Sequence, residues 1–386
     1  MGALSSFSRV ARPSHFRIGA AAFFIIFVLL VLKYHANYAT APASVAQTTR
    51  TAPQEYSKKI FAPVQDSTAH PSSAAVSVFP GKVHLIATAT TTGEGFCRLL
   101  KSALANDWNM TALYYGADKS GKLIKVEAVY DFLKLSNLAD DDVIVMVDGF
   151  DVHVHRGPES VLQSFLEFDS PIVYSAEKTC WPYIYPPWGV QQMDKCQVVP
   201  NSTLSADVYG PETDSIPPQI DNAGDPTTRP RWLNSGMLMG RVSALRILYE
   251  DMMAEVRGGT SWSGGNYLDD QALAFERHLN GTFGITLDYP ASIFMNLDKS
   301  EGDITWVLND ARRPRERAAL VNRISGTSPA FFHYNGQGKG LQHVFWPKLW
   351  FQQARSTYKL SETDGFTVAT PDGRWVSFQE ACDGQI

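Results

Sequence analysis

Two carboxylates stand three positions apart in Asp148-Gly-Phe-Asp151, directly after the apolar run VIVMV at 143–147. Side chains ejected from a dry strand onto the rim of an open sheet sit where loops converge and ligands gather. A pair of hard oxygen ligands there suits a divalent cation, Mn²⁺ or Mg²⁺, holding a phosphorylated ligand, with Gly149 keeping the turn open. An ordinary strand-end turn, with both carboxylates bonded to nearby amides, is the other reading of the same residues. A second segment weighs on the choice. After the apolar run 329–332 come His333-Tyr-Asn-Gly336-Gln-Gly-Lys339. A neutral imidazole can complete a coordination shell, Gly336 and Gly338 let the backbone approach phosphate oxygens, and Lys339 meets a diphosphate as a point charge. By itself His333 reads as a hydrogen-bonded interior histidine; with the acidic pair it reads as part of one cation-and-phosphate site.

The surrounding elements alternate. Lys82 opens VHLIATAT, a buried first strand, and Leu123, Val126, Tyr130 and Leu133 recur at helical spacing. VIVMV, apolar at every position, predicts a strand covered on both faces, as in a parallel sheet. A helix over 158–168, a strand from Pro171 (PIVYSAE), a helix carrying Leu245, Tyr249, Met252 and Val256, and a helix over 269–279 follow. GITLDYP and PAFFHY read as late strands. This order predicts an α/β sheet. The last fifty or so residues are aromatic-rich without a period, and only a packing role is expected of them.

The chain of 386 residues carries 34 Lys+Arg against 39 Asp+Glu, a formal charge of −5, with 44% hydrophobic residues. That balance excludes a protein held to nucleic acid by bulk charge and fits a large core. The start of the chain differs from the rest. Residues 18–32 are apolar throughout, preceded by Arg9, Arg12 and Arg17 and followed by Lys33. At about 1.5 Å per residue this run spans roughly 22 Å, enough to cross a thin membrane if its flanks snorkel. The arginines place 1–17 in the cytosol and the rest in the lumen, with 18–34 as a transmembrane signal anchor. Cleavage of the segment as a signal peptide near Ala39-Thr40-Ala41 is the alternative. Residues 35–81, dominated by Ala, Thr, Ser and Pro, are expected to be a disordered stem before a lumenal domain at 82–386. Asn109, Asn201 and Asn280 head N-glycosylation sequons. Of four cysteines, Cys180 and Cys196 flank a proline- and aromatic-rich stretch without periodicity, and a disulfide between them would contribute about 3 kcal/mol. No Cys-x-x-Cys occurs, so a thiolate zinc site is not expected.

Six blocks occur in order: Asp148-Gly-Phe-Asp151; Ser175-Ala-Glu177 with Cys180-Trp181-Pro182; Leu233-Asn234-Ser235-Gly236; Asp269-Asp270-Gln271; Ile293-Phe294-Met295-Asn296-Leu297; and His333 with Asn335-Gly336 and Lys339. On these, residues 82–343 resemble the amino-terminal glycosyltransferase domain of the procollagen lysyl hydroxylases. That domain has a GT-A fold, related in plan to collagen galactosyltransferases and more distantly to glycogenin. The resemblance implies a Rossmann-like, mostly parallel mixed sheet flanked by helices, binding a UDP-sugar through Mn²⁺. It implies Asp148, Asp151 and His333 as metal ligands and Lys339, with Gly336, at the diphosphate. Thr88, Thr90, Phe150 and Lys125 would lie on the nucleotide side. Trp181, Glu177 and Asn234 would lie near the sugars, and Asp269 and Asp270 near donor sugar and acceptor. Indole faces stack on sugar C–H surfaces and carboxylates accept sugar hydroxyls. Phe150 stands where the family has tyrosine, Gly121-Lys-Leu-Ile replaces a glycine-rich run, and residues between Cys180 and Leu233 are expanded. Nothing after residue 343 resembles the dioxygenase part, so hydroxylation is not expected.

Plainer roles exist for several of these residues. Asp269 can simply cap a helix with Asp270 in its first turn, Trp181 can pack over the Cys180 loop, Glu177 can be a satisfied buried carboxylate, and Asn234-Ser-Gly can form an ordinary turn. The function expected is transfer of a hexose, galactose or glucose, from a UDP-sugar to a hydroxyl acceptor, hydroxylysine or a glycan on a protein among them. The expected place is the Golgi or endoplasmic reticulum membrane, single-pass type II. If the reaction inverts the anomeric centre, Asp269 or Asp270 would be the general base. If it retains, the leaving diphosphate can take the proton. A catalytically silent lumenal protein that binds glycans or collagen-like chains is the alternative, against which the four residues Asp148, Asp151, His333 and Lys339 speak.

Overall fold

The structure is a computed structural model, described over residues 79–183, 193–200, 202–209, 229–258, 269–307, 319–353, 358–370 and 372–386. The expected tail, anchor and nearly all of the stem, and the sequon at Asn201, lie outside the described residues. Among the described residues no helix is long and apolar enough to cross a membrane.

The chain runs through β1 (Val83–Thr88), α1 (Glu94–Ala105), β2 (Met110–Leu113), α2 (Ile124–Leu135), β3 (Val143–Asp148), β4 (Val152–Val154), α3 (Pro158–Leu166) and β5 (Ile172–Glu177). After two short helices, α4 (Met193–Gln197) and α5 (Ala206–Tyr209), come β6 (Trp232–Arg241), α6 (Val242–Gly258), α7 (Asp270–Asn280), β7 (Ile285–Asp288) and β8 (Phe294–Asn296). A ribbon of β9 (Ile304–Val307) and β10 (Ala319–Asn322) leads to β11 (Phe331–His333), α8 (Lys339–Phe345), β12 (Gly365–Val368), β13 (Trp375–Ser377) and α9 (Phe378–Cys382).

Eight strands form one mixed sheet in the order β13-β12-β2-β1-β3-β6-β5-β7. Both faces are covered, which explains the uninterrupted apolar reading of VIVMV. Ile144 and Met146 pack with Val126, Val129, Leu245 and Tyr249 of the helices on one side. Val143, Val145 and Val147 point the other way, toward Phe96 and Leu99 of α1 and Phe294 and Phe331 of the smaller sheet. The sheet is mixed, as the resemblance implied, and β3 itself runs parallel to β1 but antiparallel to β6, where its apolar run alone suggested a parallel setting. A strand buried on both faces is apolar whichever way its neighbours run, so the pattern carries no direction.

The terminal residues do more than pack. β12 joins the main sheet parallel to β2, β13 pairs antiparallel to β12, and Cys382 is bonded to Cys97 of α1. The Cys180–Cys196 disulfide is present as expected.

Three strands outside the main sheet, in the order β4-β11-β8, set up the site. β4 leaves the acidic turn and pairs antiparallel with β11, placing Val152 opposite His333, while β8 pairs on the other side, placing Asn296 opposite His333. Tyr334 N–H donates to the Asp151 carbonyl at 2.7 Å. Segments far apart in sequence are thereby held side by side by backbone hydrogen bonds.

Candidate active site

Asp148 ends β3, and Asp151 follows in the turn before β4. His333, 4% exposed, ends β11. Its Nε2 lies 3.3 Å from Asp151 Oδ1 and 3.5 Å from Asp148 Oδ2. One ligand atom from each of the three residues lies within 4.8 Å of the others. The far side of the imidazole is tied down: Nδ1 donates toward Asn296 Oδ1 at 2.9 Å, with Asn234 Oδ1 at 3.2 Å. The amides are oriented by further partners, since Asn296 Nδ2 donates to the Ala176 carbonyl and Asn234 Oδ1 accepts from Gly236 N–H. Two acceptors at Nδ1 place its hydrogen there, so Nε2 faces two carboxylates and must carry either a proton or a cation between them. Burial opposes a charged imidazole, but Asp151 outweighs it and holds the His333 value above the ordinary one. Burial pushes Asp148 up, whereas at Asp151 the effect of burial is overcome by His333, which holds it down. Two oxygens and one nitrogen oriented by outer amides fit a hard or borderline divalent cation such as Mn²⁺ or Mg²⁺.

β6 supplies the floor. Pairing of β5 with β6 shifts register between Tyr174 and Ser175, and Asn234-Ser-Gly sits in that irregularity within the strand, not in a turn. The bulge turns Ser235 and Gly236 toward the site. A Cβ on Gly236 would stand 2.6 Å from His333 Nδ1 and 2.9 Å from Asp148 Oδ2. Only glycine leaves room for the cluster.

Lys125, in the first turn of α2, donates to Asp148 Oδ1 at 2.8 Å and to the Ser235 carbonyl at 3.1 Å, and pairs with Asp270 Oδ2 at 2.5 Å. Burial alone would lower its value, yet Asp148 and Asp270 raise it, so the ammonium stays charged. Asp270 also accepts from Ser235 Oγ at 2.6 Å. Asp269 caps α7, accepting from Ala272 N–H at 2.7 Å, and accepts from Trp181 Nε1 at 3.0 Å. Burial raises its value.

These residues line a cleft of about 380 Å³ together with Lys122, Gln271, Asn335, Gly336 and Lys339. Gly336 has φ +50°, and a Cβ there would lie 2.5 Å from Asp298 Cγ, so the turn closes tightly under Asn335. Asn335 Oδ1 accepts from Leu297 and Asp298 N–H, and its Nδ2 donates to Glu177 Oε2 at 2.9 Å. Glu177, whose other oxygen accepts from Gln271 Nε2 at 2.7 Å, is 3% exposed and pushed up to about 8 by burial. It braces two walls from behind. Thr88, Thr90, Phe150 and Glu177 are not among the lining residues. Thr88 pairs with Asp148 in the sheet, the Thr90 carbonyl accepts from Gly116 N–H, and Phe150 is 43% exposed beside the acidic turn. Asn109 and Asn280 are exposed.

Asn296, Gln271, Ser235, Gly236 and Lys122 have positions in the site that residue type alone does not signal. An asparagine after an apolar run, or a serine inside a strand, has many ordinary uses; only the register with His333 and Gln271 shows these.

Comparison with known proteins follows the same lines. Residues 80–185 match the family model described as PLOD GT domain. A procollagen-lysine,2-oxoglutarate 5-dioxygenase of Drosophila melanogaster is 22% identical over 265 residues, 67% of this chain and 31% of its own. The multifunctional procollagen lysine hydroxylase and glycosyltransferase LH3 of Homo sapiens is 24% identical over 274 residues, covering 68% and 31%. A solved glycosyltransferase involved in the glycosylation of the major capsid of PBCV-1 covers 68% of this chain and 99% of that chain at 11% identity and a TM-score of 0.37, too distant to build on. The chain spans about a third of the length of the curated relatives it matches. The mixed α/β fold, the carboxylate–histidine cleft, the family-model match and the LH3 relative define a glycosyltransferase domain. It is homologous to the glycosyltransferase region of the procollagen lysyl hydroxylases, as the six blocks indicated.

Proposed function

We propose that the protein moves a hexose, galactose or glucose, from a UDP-sugar to a hydroxyl acceptor on a protein or glycan, hydroxylysine among them, in a GT-A-type cleft. The observation that carries this reading is the convergence of Asp148, Asp151 and His333 Nε2 with the imidazole tautomer already fixed by Asn296. These three residues would hold Mn²⁺ or Mg²⁺. When bound, the ion neutralises charge growing on the diphosphate as the glycosidic bond breaks. Lys339 and Gly336 line the cleft with the three residues and suit phosphate oxygens. Trp181 and the carboxylates at the start of α7 line the same cleft and suit sugar faces and hydroxyls. Both carboxylates are engaged, Asp269 by Ala272 and Trp181 and Asp270 by Lys125 and Ser235, and each keeps further lone pairs on its two oxygens for an acceptor proton.

The sequence and the cysteines bear on placement. All four cysteines are paired, which suits an oxidising lumen. With the apolar run at 18–32 and its basic flank, this supports a type II anchor in the Golgi or endoplasmic reticulum.

UDP release from UDP-galactose and UDP-glucose, measured with and without added Mn²⁺ on wild type and Asp151→Asn, tests the reading. Metal-dependent turnover lost in the variant is expected. No turnover with any donor, together with no nucleotide binding, would instead favour a silent binding protein of the same fold.

A further inference from the structure

Lys122 occupies the turn before α2, three residues ahead of Lys125. Both lysines stand at the amino end of that helix, where a cation opposes the helix dipole. Each meets one of two successive carboxylates at the start of α7: Lys125 Nζ lies 2.5 Å from Asp270 Oδ2, and Lys122 Nζ lies 3.9 Å from Asp269 Oδ2. The two pairs stitch one wall of the cleft to the other. Their surroundings differ, because the Lys125 side chain is 13% exposed and that of Lys122 is 48% exposed. Lys122 also lies over the face of Trp181, with Nζ 4.9 Å from the ring centroid. The indole N–H of Trp181 donates to the same Asp269 oxygen, and Asp269 is itself held as the cap of α7. The ring is therefore fixed twice, along its edge by Asp269 and over its face by Lys122. Lys122 is half-exposed and lines the cleft beside Trp181 and Asp269.

We propose that Lys122 is a positioning residue for the sugar: it fixes the plane of the Trp181 indole, which then presents its remaining surface to the hexose of a bound nucleotide-sugar. It thereby sets affinity for the hexose and not for the nucleotide. The assignment rests on the transferase reading above. The diphosphate end of the cleft, with His333, Gly336 and Lys339, is built from other elements and does not depend on this contact.

Binding of UDP and of UDP-glucose or UDP-galactose to the full chain, followed by calorimetry in Mn²⁺, reads the effect directly, with KM and kcat measured alongside. Lys122→Met keeps the stem and removes the charge; Lys122→Arg keeps both. A cation–π contact at a partly exposed site corresponds to about two- to fivefold in an equilibrium. The Met variant is expected to weaken nucleotide-sugar binding by that factor relative to UDP, raising KM with kcat little changed, and the Arg variant to restore it. Equal loss for UDP and UDP-hexose, accompanied by a lower Tm, would mark a structural role and overturn the assignment. Wild-type behaviour in the Met variant would overturn it too while leaving the transferase reading intact. If the wild type binds neither ligand, the transferase reading falls and Lys122 with it.

Discussion

Replacing Gly236 by alanine places a methyl group 2.6 Å from Nδ1 of His333 and 2.9 Å from Oδ2 of Asp148. Cε1 of His333 lies nearer still, and since ordinary contact begins at about 3.5 Å, the ring or the strand must yield by more than about 1 Å. The strand is poorly placed to do so, because Val147 pairs with Met237 beside it and the sheet is buried on both faces. The imidazole moves instead, and it leaves the 2.9 Å bond to Asn296 and the position of Nε2 between the two carboxylates. Overpacking costs about 1–3 kcal/mol and the lost hydrogen bond about 1 kcal/mol more, so a stability loss of about 2–4 kcal/mol is expected. Disturbing the groups that orient a metal ligand weakens binding about 10–100-fold. Denaturant unfolding gives the first quantity, and the Mn²⁺ concentration that half-saturates UDP release from a UDP-hexose gives the second. Wild-type stability with an unchanged metal response would refute the reasoning, since it would mean that His333 and Asp148 do not meet over Gly236.

Three further outcomes follow from other contacts. Asn296→Ala removes the nearer of the two acceptors at His333 Nδ1 and leaves Asn234, and apparent Mn²⁺ affinity is expected to fall about 10–100-fold while Tm changes modestly. Asp142 accepts from the amides of Lys82 and Ala139 and from His84 Nε2; although burial works the other way, these bonds hold its value below 3.8. Its stabilisation is complete above the ordinary carboxylate range and is lost as pH falls through the depressed folded value. Asp142→Ala should therefore cost about 1–3 kcal/mol at pH 7, with wild type and variant converging in acid when unfolding is measured against pH. Cys382→Ser opens a bridge spanning 285 residues and releases α9 from α1, with an expected loss of up to about 5 kcal/mol seen as a lower Tm under non-reducing conditions.

The amino-acid sequence by itself determined the alternation of strand and helix, because burial on both faces leaves an unmistakable apolar run at VIVMV and a 3–4 spacing at Val126, Tyr130 and Leu133. It also singled out Asp148, Asp151, His333 and Lys339, since each segment alone has an ordinary use but the two together suit one cation-and-phosphate site. Strand direction was not legible, as β3 shows, and the value of the terminal residues was hidden because short edge strands carry too few positions to display a period. The helix cap at Asp269 was readable from its neighbours, but its bond to Trp181 was not. Only the tertiary structure decided which groups share the cleft. The pairing of β4 and β8 on either side of β11 is a non-local hydrogen-bond register that seats Asn296 beside His333, and together with the β5–β6 irregularity it brings His333 Nε2 to the two carboxylates and demands glycine at 236. Local sequence preference acts over a few residues, whereas this arrangement joins strands far apart in the sequence, so its physical cause lies in the sheet as a whole.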